Sequence, residues 1–258
     1  MEKHRLILWL IATLWCPAAF AQSEGGLLLE VAAEKKLTNR FSLSLDADMR
    51  TRNNFTTMDR WSVGLQASYK FTKWLKAVAG YTLLNTNFRE DTEDYISSKG
   101  NAKTKWRPSY WGVRHRFTAS LTGSYKLSDD FKVSLRERWQ YTYRPAKATE
   151  RYKMDTGDQE GMELDEDYVR KGKGKNQLRS RLLVEYDKKH ALLAPYASVE
   201  MYNSWAVEKL RYTVGTDIRL SKQHTLGLFY RFQDMKQVDA DDYDPDMHYI
   251  GLSYKLKF

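Results

Sequence analysis

The residues best suited to chemistry in this chain are arginines spaced two apart. Arg114 and Arg116, Arg136 and Arg138, and Arg179 and Arg181 form three such pairs, and Arg50, Arg211, Arg219 and Arg231 occupy further positions of the same kind. A spacing of two puts both members of a pair on one face of a strand, and neighbouring strands would bring the pairs side by side. Guanidinium groups present a planar fork of donors that fits carboxylate or phosphate. Asp46, Asp48, Glu185, Glu200 and Asp217 are carboxylates placed to act as counterions. Two outcomes stay open: a passage or pocket that favours anions, or an interior filled by charges that neutralise one another.

Other chemistry has weaker support. His115 and His248 fall among apolar residues, and His248 lies near Asp241, Asp242, Asp244 and Asp246, which permits an acid–histidine arrangement. A hydrolase would need such a base beside a nucleophile or water. His190 and His224 have no comparable neighbours. The acid-rich stretches Asp155–Asp167 and Asp239–Asp246 could offer carboxylates to Ca²⁺ but lack EF-hand spacing. Gly172 and Gly174 sit between lysines without a nucleotide-binding motif. We expect no catalytic residue, no metal site and no cofactor.

The arginines must be positioned by strands, because the residues around them alternate in class. Phe41, Leu43, Leu45, Ala47 and Met49 alternate with Ser42, Ser44, Asp46, Asp48 and Arg50. Trp61, Val63, Leu65, Ala67 and Tyr69 oppose Arg60, Ser62, Gly64, Gln66 and Ser68. The same period of two runs through 75–84, 114–126, 131–142, 177–186, 210–219, 225–233 and 247–258. Residues 191–202 are strand-like but contain Pro195, which demands a position where no ladder donor is needed. Glu137 stands on an apolar face without explanation from its neighbours, unless a bulge turns it inward or it lies near a membrane interface. The last strand, MHYIGLSYKLKF, stops on Phe258.

Connections near 37–39, 71–73, 127–130, 187–190 and 221–223 are tight, while 51–58, 86–112, 144–176 and 234–246 are longer. That alternation fits an antiparallel transmembrane β-barrel with short periplasmic turns and long extracellular loops. Eleven strand-like segments can be counted, including 27–36. Bacterial barrels normally have an even number, with the final strand descending to the periplasm. Twelve strands are therefore favoured, with ten as the alternative; placement of 27–36 is left open.

Residues 1–21 read as a cleaved signal peptide: Lys3 and Arg5, an apolar stretch from Leu6 to Trp15, then Ala19-Phe20-Ala21. Cleavage after Ala21 would remove Cys16, the only cysteine, together with Lys3, Arg5 and Glu2, and take the net charge from +9 to +8. Residues 22–258 would form a single barrel domain in the outer membrane. A mean hydropathy of −0.67 is compatible with this, since only every second strand residue meets lipid. The 17 Tyr, 8 Trp and 10 Phe suit two aromatic levels at the membrane interfaces. Tyr69, Phe71, Trp74, Tyr125, Phe131, Tyr186, Tyr254 and Phe258 would lie at the short-turn level, and Trp61, Trp139 and Tyr141 toward the long loops. A secreted soluble barrel or sandwich would also alternate, but needs neither girdles nor so charged an interior.

The segment TKWRPSYWGVRHRFTASLTGSYKLSDDFKVSLRERWQYTYRP at 104–145 and the terminal GLSYKLKF resemble the DUF2490 outer-membrane proteins of the Bacteroidetes group. That resemblance implies an outer-membrane barrel and transfers no catalytic residue. The expected partners are outer-membrane lipids, lipopolysaccharide, and the barrel-assembly machinery through the C-terminal strand. Nucleic acid is not expected for an exported chain. Three functions remain: a narrow passage for anionic or polar solutes, a closed structural or surface-interaction barrel, and an outer-membrane hydrolase.

Overall fold

The computed structural model describes residues 23–155, 161–188, 191–236 and 245–258. The expected signal peptide, with Cys16 and its cleavage position, lies outside the described residues, as do His190, Asp239, Asp241, Asp242, Asp244 and residues 156–160 of the other acidic stretch.

Among the described residues, eleven strands form one closed barrel. They are β1 (Ser23–Lys36), β2 (Phe41–Arg52), β3 (Thr57–Lys70), β4 (Leu75–Phe88), β7 (Tyr110–Lys126), β8 (Phe131–Arg144), β13 (Lys173–Tyr186), β14 (Leu193–Asn203), β15 (Val207–Arg219), β16 (His224–Met235) and β17 (Asp246–Lys257). The long connections carry β5 (Asp91–Ile96), β6 (Ala102–Arg107), β9 (Lys147–Ala148), β10 (Tyr152–Asp155), β11 (Glu163–Leu164) and β12 (Val169–Arg170). Each barrel strand runs antiparallel to its neighbours except at the closure, where β1 pairs with β17 in parallel from Ser23↔Asp246 to Glu34↔Lys257. Both the twelve-strand and the ten-strand expectations are thereby corrected. A ring with an odd number of strands cannot alternate direction throughout, so one pair must run parallel.

Residues 27–36, which ten strands would leave out and twelve would retain beside one further strand, lie in β1. Leu27, Leu29 and Val31 fall on the outer face, whereas Leu28 points inward and packs with Phe229, Met247 and Tyr249. An apolar residue on each face hides the period of two. The closure reaches the chain end: Lys36 N–H donates to the Phe258 carbonyl at 3.0 Å, and Phe258 N–H donates to the Glu34 carbonyl at 3.0 Å.

Four short turns share one construction. In Leu37-Thr38, Phe71-Thr72, Leu127-Ser128 and Leu220-Ser221 the hydroxyl accepts the backbone N–H groups two and three residues on, at 2.9–3.3 Å. In each, both residues of the pair donate their N–H to one carbonyl, that of Phe41, Leu75, Phe131 or His224. Serine and threonine suit this role because a short hydroxyl can mimic a backbone acceptor. At the opposite end the expected loop 51–58 shrinks to residues 53–56, because β2 and β3 extend further than their alternation suggests. Asn53, Asn54 and Phe55 take positive φ there. The two longest connections are themselves built: β11-β10-β6-β5 form a sheet and β12-β9 a ribbon. Within that sheet, hydrogen bonds from Arg151 hold the Asp165 carboxyl below the usual carboxylate range. Pro195 pairs only with β15, since β13 pairing begins at Tyr196, so its missing N–H interrupts no ladder.

Leu45, Leu65, Leu121, Leu135, Leu182, Val214, Leu228, Ile250 and Leu252 are exposed on the outer wall, while Ser62, Leu84, Gln140, Glu200 and Ser253 are buried on the inner one. Trp61, Tyr69, Phe71, Trp74, Tyr125, Phe131, Trp139 and Phe258 are exposed; Tyr141, Tyr186 and Tyr254 are partly covered. A closed sheet with an apolar outer belt satisfies every backbone group without solvent, which is what the hydrocarbon layer requires. The molecule is a closed β-barrel with the outer surface of a membrane-spanning one.

The half-buried histidines and the exposed Glu137 have cross-strand partners. His115 bonds the Tyr81 hydroxyl at 2.8 Å, His224 bonds Tyr254 at 2.7 Å, and His248 bonds Tyr230. His248, the histidine weighed for acid–base work, bonds Tyr230 on the outer wall and stacks on the Phe232 ring at 4.8 Å. No bulge occurs at Glu137, which pairs in regular register with Ser180 and accepts that hydroxyl at 2.6 Å. It stands near the middle of β8 with its carboxylate outward, where a polar group is costly. Glu137→Leu should raise stability in lipid vesicles by on the order of 1 kcal/mol, seen as a higher urea midpoint. A lower midpoint would show that the carboxylate stabilises the fold.

Candidate functional site: the charged lumen

The inner wall collects the predicted arginines, and the strand register decides which of them meet. Arg179 lies opposite Arg138 and Arg181 opposite Arg136 on β13 and β8. Arg114 and Arg116 do not continue this row, because Arg136 and Arg138 face Thr122 and Ser120 of β7. The β7 pair is displaced toward the long connections. There Arg116 reaches Thr142 Oγ1 at 3.4 Å, and Arg114 stacks on the Phe88 ring at 4.3 Å.

One carboxylate organises the β8–β15 wall. Glu200, only 4% exposed, accepts hydrogen bonds from Arg136 (2.7 Å), Arg179 (3.0 Å to each oxygen), Arg211 (3.2 Å) and the Tyr202 hydroxyl (3.0 Å). Arg179 also donates to Gln140 Oε1 at 3.0 Å and Arg211 to Gln233 Oε1 at 3.1 Å. The face of Tyr202 receives Arg179 at 4.4 Å and Arg211 at 4.8 Å, a contact that disperses charge without a further anion. Three guanidinium groups thus share one carboxylate, and the ring and two amides meet Arg179 and Arg211 further. The Nε atoms of Arg136, Arg179 and Arg211 have no hydrogen-bond partner among the described residues.

The other expected counterions serve different cations. Asp48 accepts Arg60 at 2.9 Å and the Ser62 hydroxyl; Asp46 accepts Gln66 at 2.6 Å. Arg50 and Arg52 approach Asp59 at 3.6 Å. Asp217 meets Lys255 at 3.5 Å, Glu185 meets Lys132 at 3.2 Å, and Arg231 meets Glu30 at 3.3 Å. Arg219 lies at the short-turn rim, bound to Asp187 at 2.8 Å and to the Lys188 carbonyl. Among the described residues, Arg116, Arg138 and Arg181 form no ion pair with a carboxylate. A polar chamber of about 140 Å³ lies inside the wall, bordered by Glu30, Arg181, Glu185, Tyr196, Asp217 and Arg231.

Several lumen residues escaped the sequence reading. Leu28, Phe229, Met247 and Tyr249 make an apolar cluster inside the barrel, flanked by Tyr196. Phe229 can lie there because Gly251 faces it: a Cβ at 251 would come within 2.1 Å of the ring. The signal in the sequence was a large residue on the otherwise polar parity opposite a glycine of the neighbouring strand. Leu84, fully buried, is another such exception.

Glu200→Gln removes the shared anion and leaves one buried and two half-buried guanidinium groups mutually repelling. Losing one partner of a buried ion pair costs about 3–5 kcal/mol, so the urea midpoint of the refolded barrel should fall accordingly. An unchanged midpoint would mean that water, not Glu200, compensates these cations.

No curated protein sequence matches the chain. Among solved structures, the translocator domain of the autotransporter NalP from Neisseria meningitidis is similar at 12% identity and a TM-score of 0.44, covering 79% of this chain and 72% of that one. The CymD monoaromatic hydrocarbon channel is similar at 11% identity and a TM-score of 0.40, covering 81% and 82%. The family model described as "Protein of unknown function (DUF2490)" matches residues 25–244, and the chain belongs to that family.

Proposed function

We propose that the barrel is a narrow passage for small anionic or polar solutes, constricted where Glu200 gathers its three arginines. The observation that carries this reading is the surplus of cations on the inner wall: Arg116, Arg138 and Arg181 have no carboxylate partner among the described residues. Surplus positive charge within low-dielectric walls attracts anions and repels cations. The chamber of about 140 Å³ offers room for a small polar molecule beside the constriction. In this reading residues 1–21 are a signal peptide removed after Ala21, and 22–258 form the single barrel domain of a Bacteroidetes-type envelope. The exposed aromatics are interface girdles, and Phe258 serves recognition by the assembly machinery. Lipopolysaccharide surrounds the outer rim.

A second reading is a sealed structural barrel, favoured by the mutual pairing of Glu200, Arg136, Arg179 and Arg211. The two readings differ in conductance. Reconstituted in planar bilayers, the passage gives a small current with anion preference, and Glu200→Ala enlarges both conductance and preference by removing the anion at the constriction. If neither protein carries ion-dependent current, the passage is refuted and the sealed barrel stands.

A further inference from the structure

A second site lies at the long-connection rim, outside the constriction. A recess of about 430 Å³ forms where the ends of β4, β7 and β8 meet the β9–β12 ribbon. Its apolar wall is Phe88, Tyr110, Trp111 and Val113, and its charged wall is Arg144, Lys147 and Arg170. No Asp or Glu is among the described residues lining it.

The facing of Arg170 and Lys147 has a cost that a bound anion would offset. Arg170 and Lys147 are direct cross-strand partners in the two-residue ribbon, and like charges directly opposite one another destabilise such a pairing. Arg114, Arg144 and Arg170 gather around the single ring of Phe88, at 4.3, 5.5 and 5.3 Å. Neutral acceptors aim two of the groups without neutralising them: Arg170 donates to the Tyr110 hydroxyl at 3.0 Å, and Lys147 donates to the Trp111 carbonyl. Phosphate suits such a cluster because several charge-assisted hydrogen bonds can converge on its oxygens.

The other wall says what accompanies the phosphate. Asn85, Trp111 and Val113 belong to the outward parity of β4 and β7, and Val113 is exposed on the outer wall. The recess therefore connects the basic cluster with the lipid-facing surface, a shape for an amphiphile and not for a free ion. We propose that this recess binds the phosphate group of an outer-leaflet glycolipid, with the apolar part against Trp111 and Val113. The proposal shares with the passage reading only the outward orientation of the long connections.

Binding to the purified, refolded protein in neutral micelles tests it whether or not the lumen conducts. Titration calorimetry would compare three probes: the phosphorylated glucosamine lipid of lipopolysaccharide, the same lipid after phosphatase treatment, and inorganic phosphate. The phosphorylated lipid should bind, and Lys147→Ala with Arg170→Ala should weaken it about tenfold per cation removed. Arg170→Lys, which keeps the charge, should retain most of the affinity and controls for loss of the ribbon. Equal binding of the phosphatase-treated lipid, or an unweakened double variant, would overturn the proposal. Displacement of the lipid by inorganic phosphate at equal concentration would also overturn it, since a free anion would then be the ligand.

Discussion

The pairing of β1 with β17 is the constraint on which the rest of the molecule depends. In hydrocarbon an open sheet edge leaves a row of N–H and C=O groups without partners, each costing several kcal/mol. Ten consecutive strands from β2 to β17 can alternate direction and still leave two edges for a closing strand or for each other. Adding β1 makes eleven, and the ring then closes only if one pair runs parallel. Parallel pairing is slightly weaker per residue than antiparallel pairing, but it removes both edges. The extent of β1, with twelve residues in register against β17 and the Phe258 backbone bonded at its end, makes the closure continuous across the barrel wall.

That closure also sets the interior. Bringing β1 against β17 places Leu28 beside Met247 and Tyr249, and Phe229 of β16 completes the cluster over Gly251. Elsewhere the wall is ionic, centred on Glu200. The lumen thus carries an apolar cluster at the seam, next to the Arg231–Glu30 ion pair, and a basic cluster across β8, β13, β14 and β15. An inner surface with uncompensated guanidinium groups has an electrostatic preference irrespective of its width, and this ties the fold to the proposed passage for anions.

Much of this was legible in the sequence because barrel strands write their two faces with a period of two. The inner position of Arg136, Arg138, Arg179 and Arg181 follows from parity alone, as does the outer position of Leu45, Leu65 and Leu252, whereas the segment of Glu200 showed no clear alternation. The strand number was not legible: eleven segments were countable, but an evenness rule drawn from other barrels argued against the count. Leu28 compounded this by making Leu27-Leu28-Leu29 an apolar run without alternation. Register was also hidden. Parity cannot say that Arg114 and Arg116 stand displaced from the β8 and β13 pairs, or that Glu200 serves three arginines while Asp46 meets an amide. The rim recess depends on the two-residue ribbon of β9 and β12, which is too short to carry any periodic signal. The repeated Ser/Thr turn, by contrast, was present in LTNRF, FTKWL, LSDDF and LSKQH and could have been found by comparing the short connections with one another.

The most direct measurement of the closure is a disulfide across the parallel seam. Leu29 and Leu252 are register partners of β1 and β17 on the outer wall, and a disulfide needs Cα atoms within about 7 Å. In a chain carrying Cys16→Ser, oxidation of Leu29→Cys with Leu252→Cys should link the two strands. Leu29→Cys with Leu256→Cys, four residues out of register and roughly 13 Å away along the strand, should not link. Formation of the second bond and not the first, or of neither in a correctly refolded barrel, would contradict the eleven-strand closure.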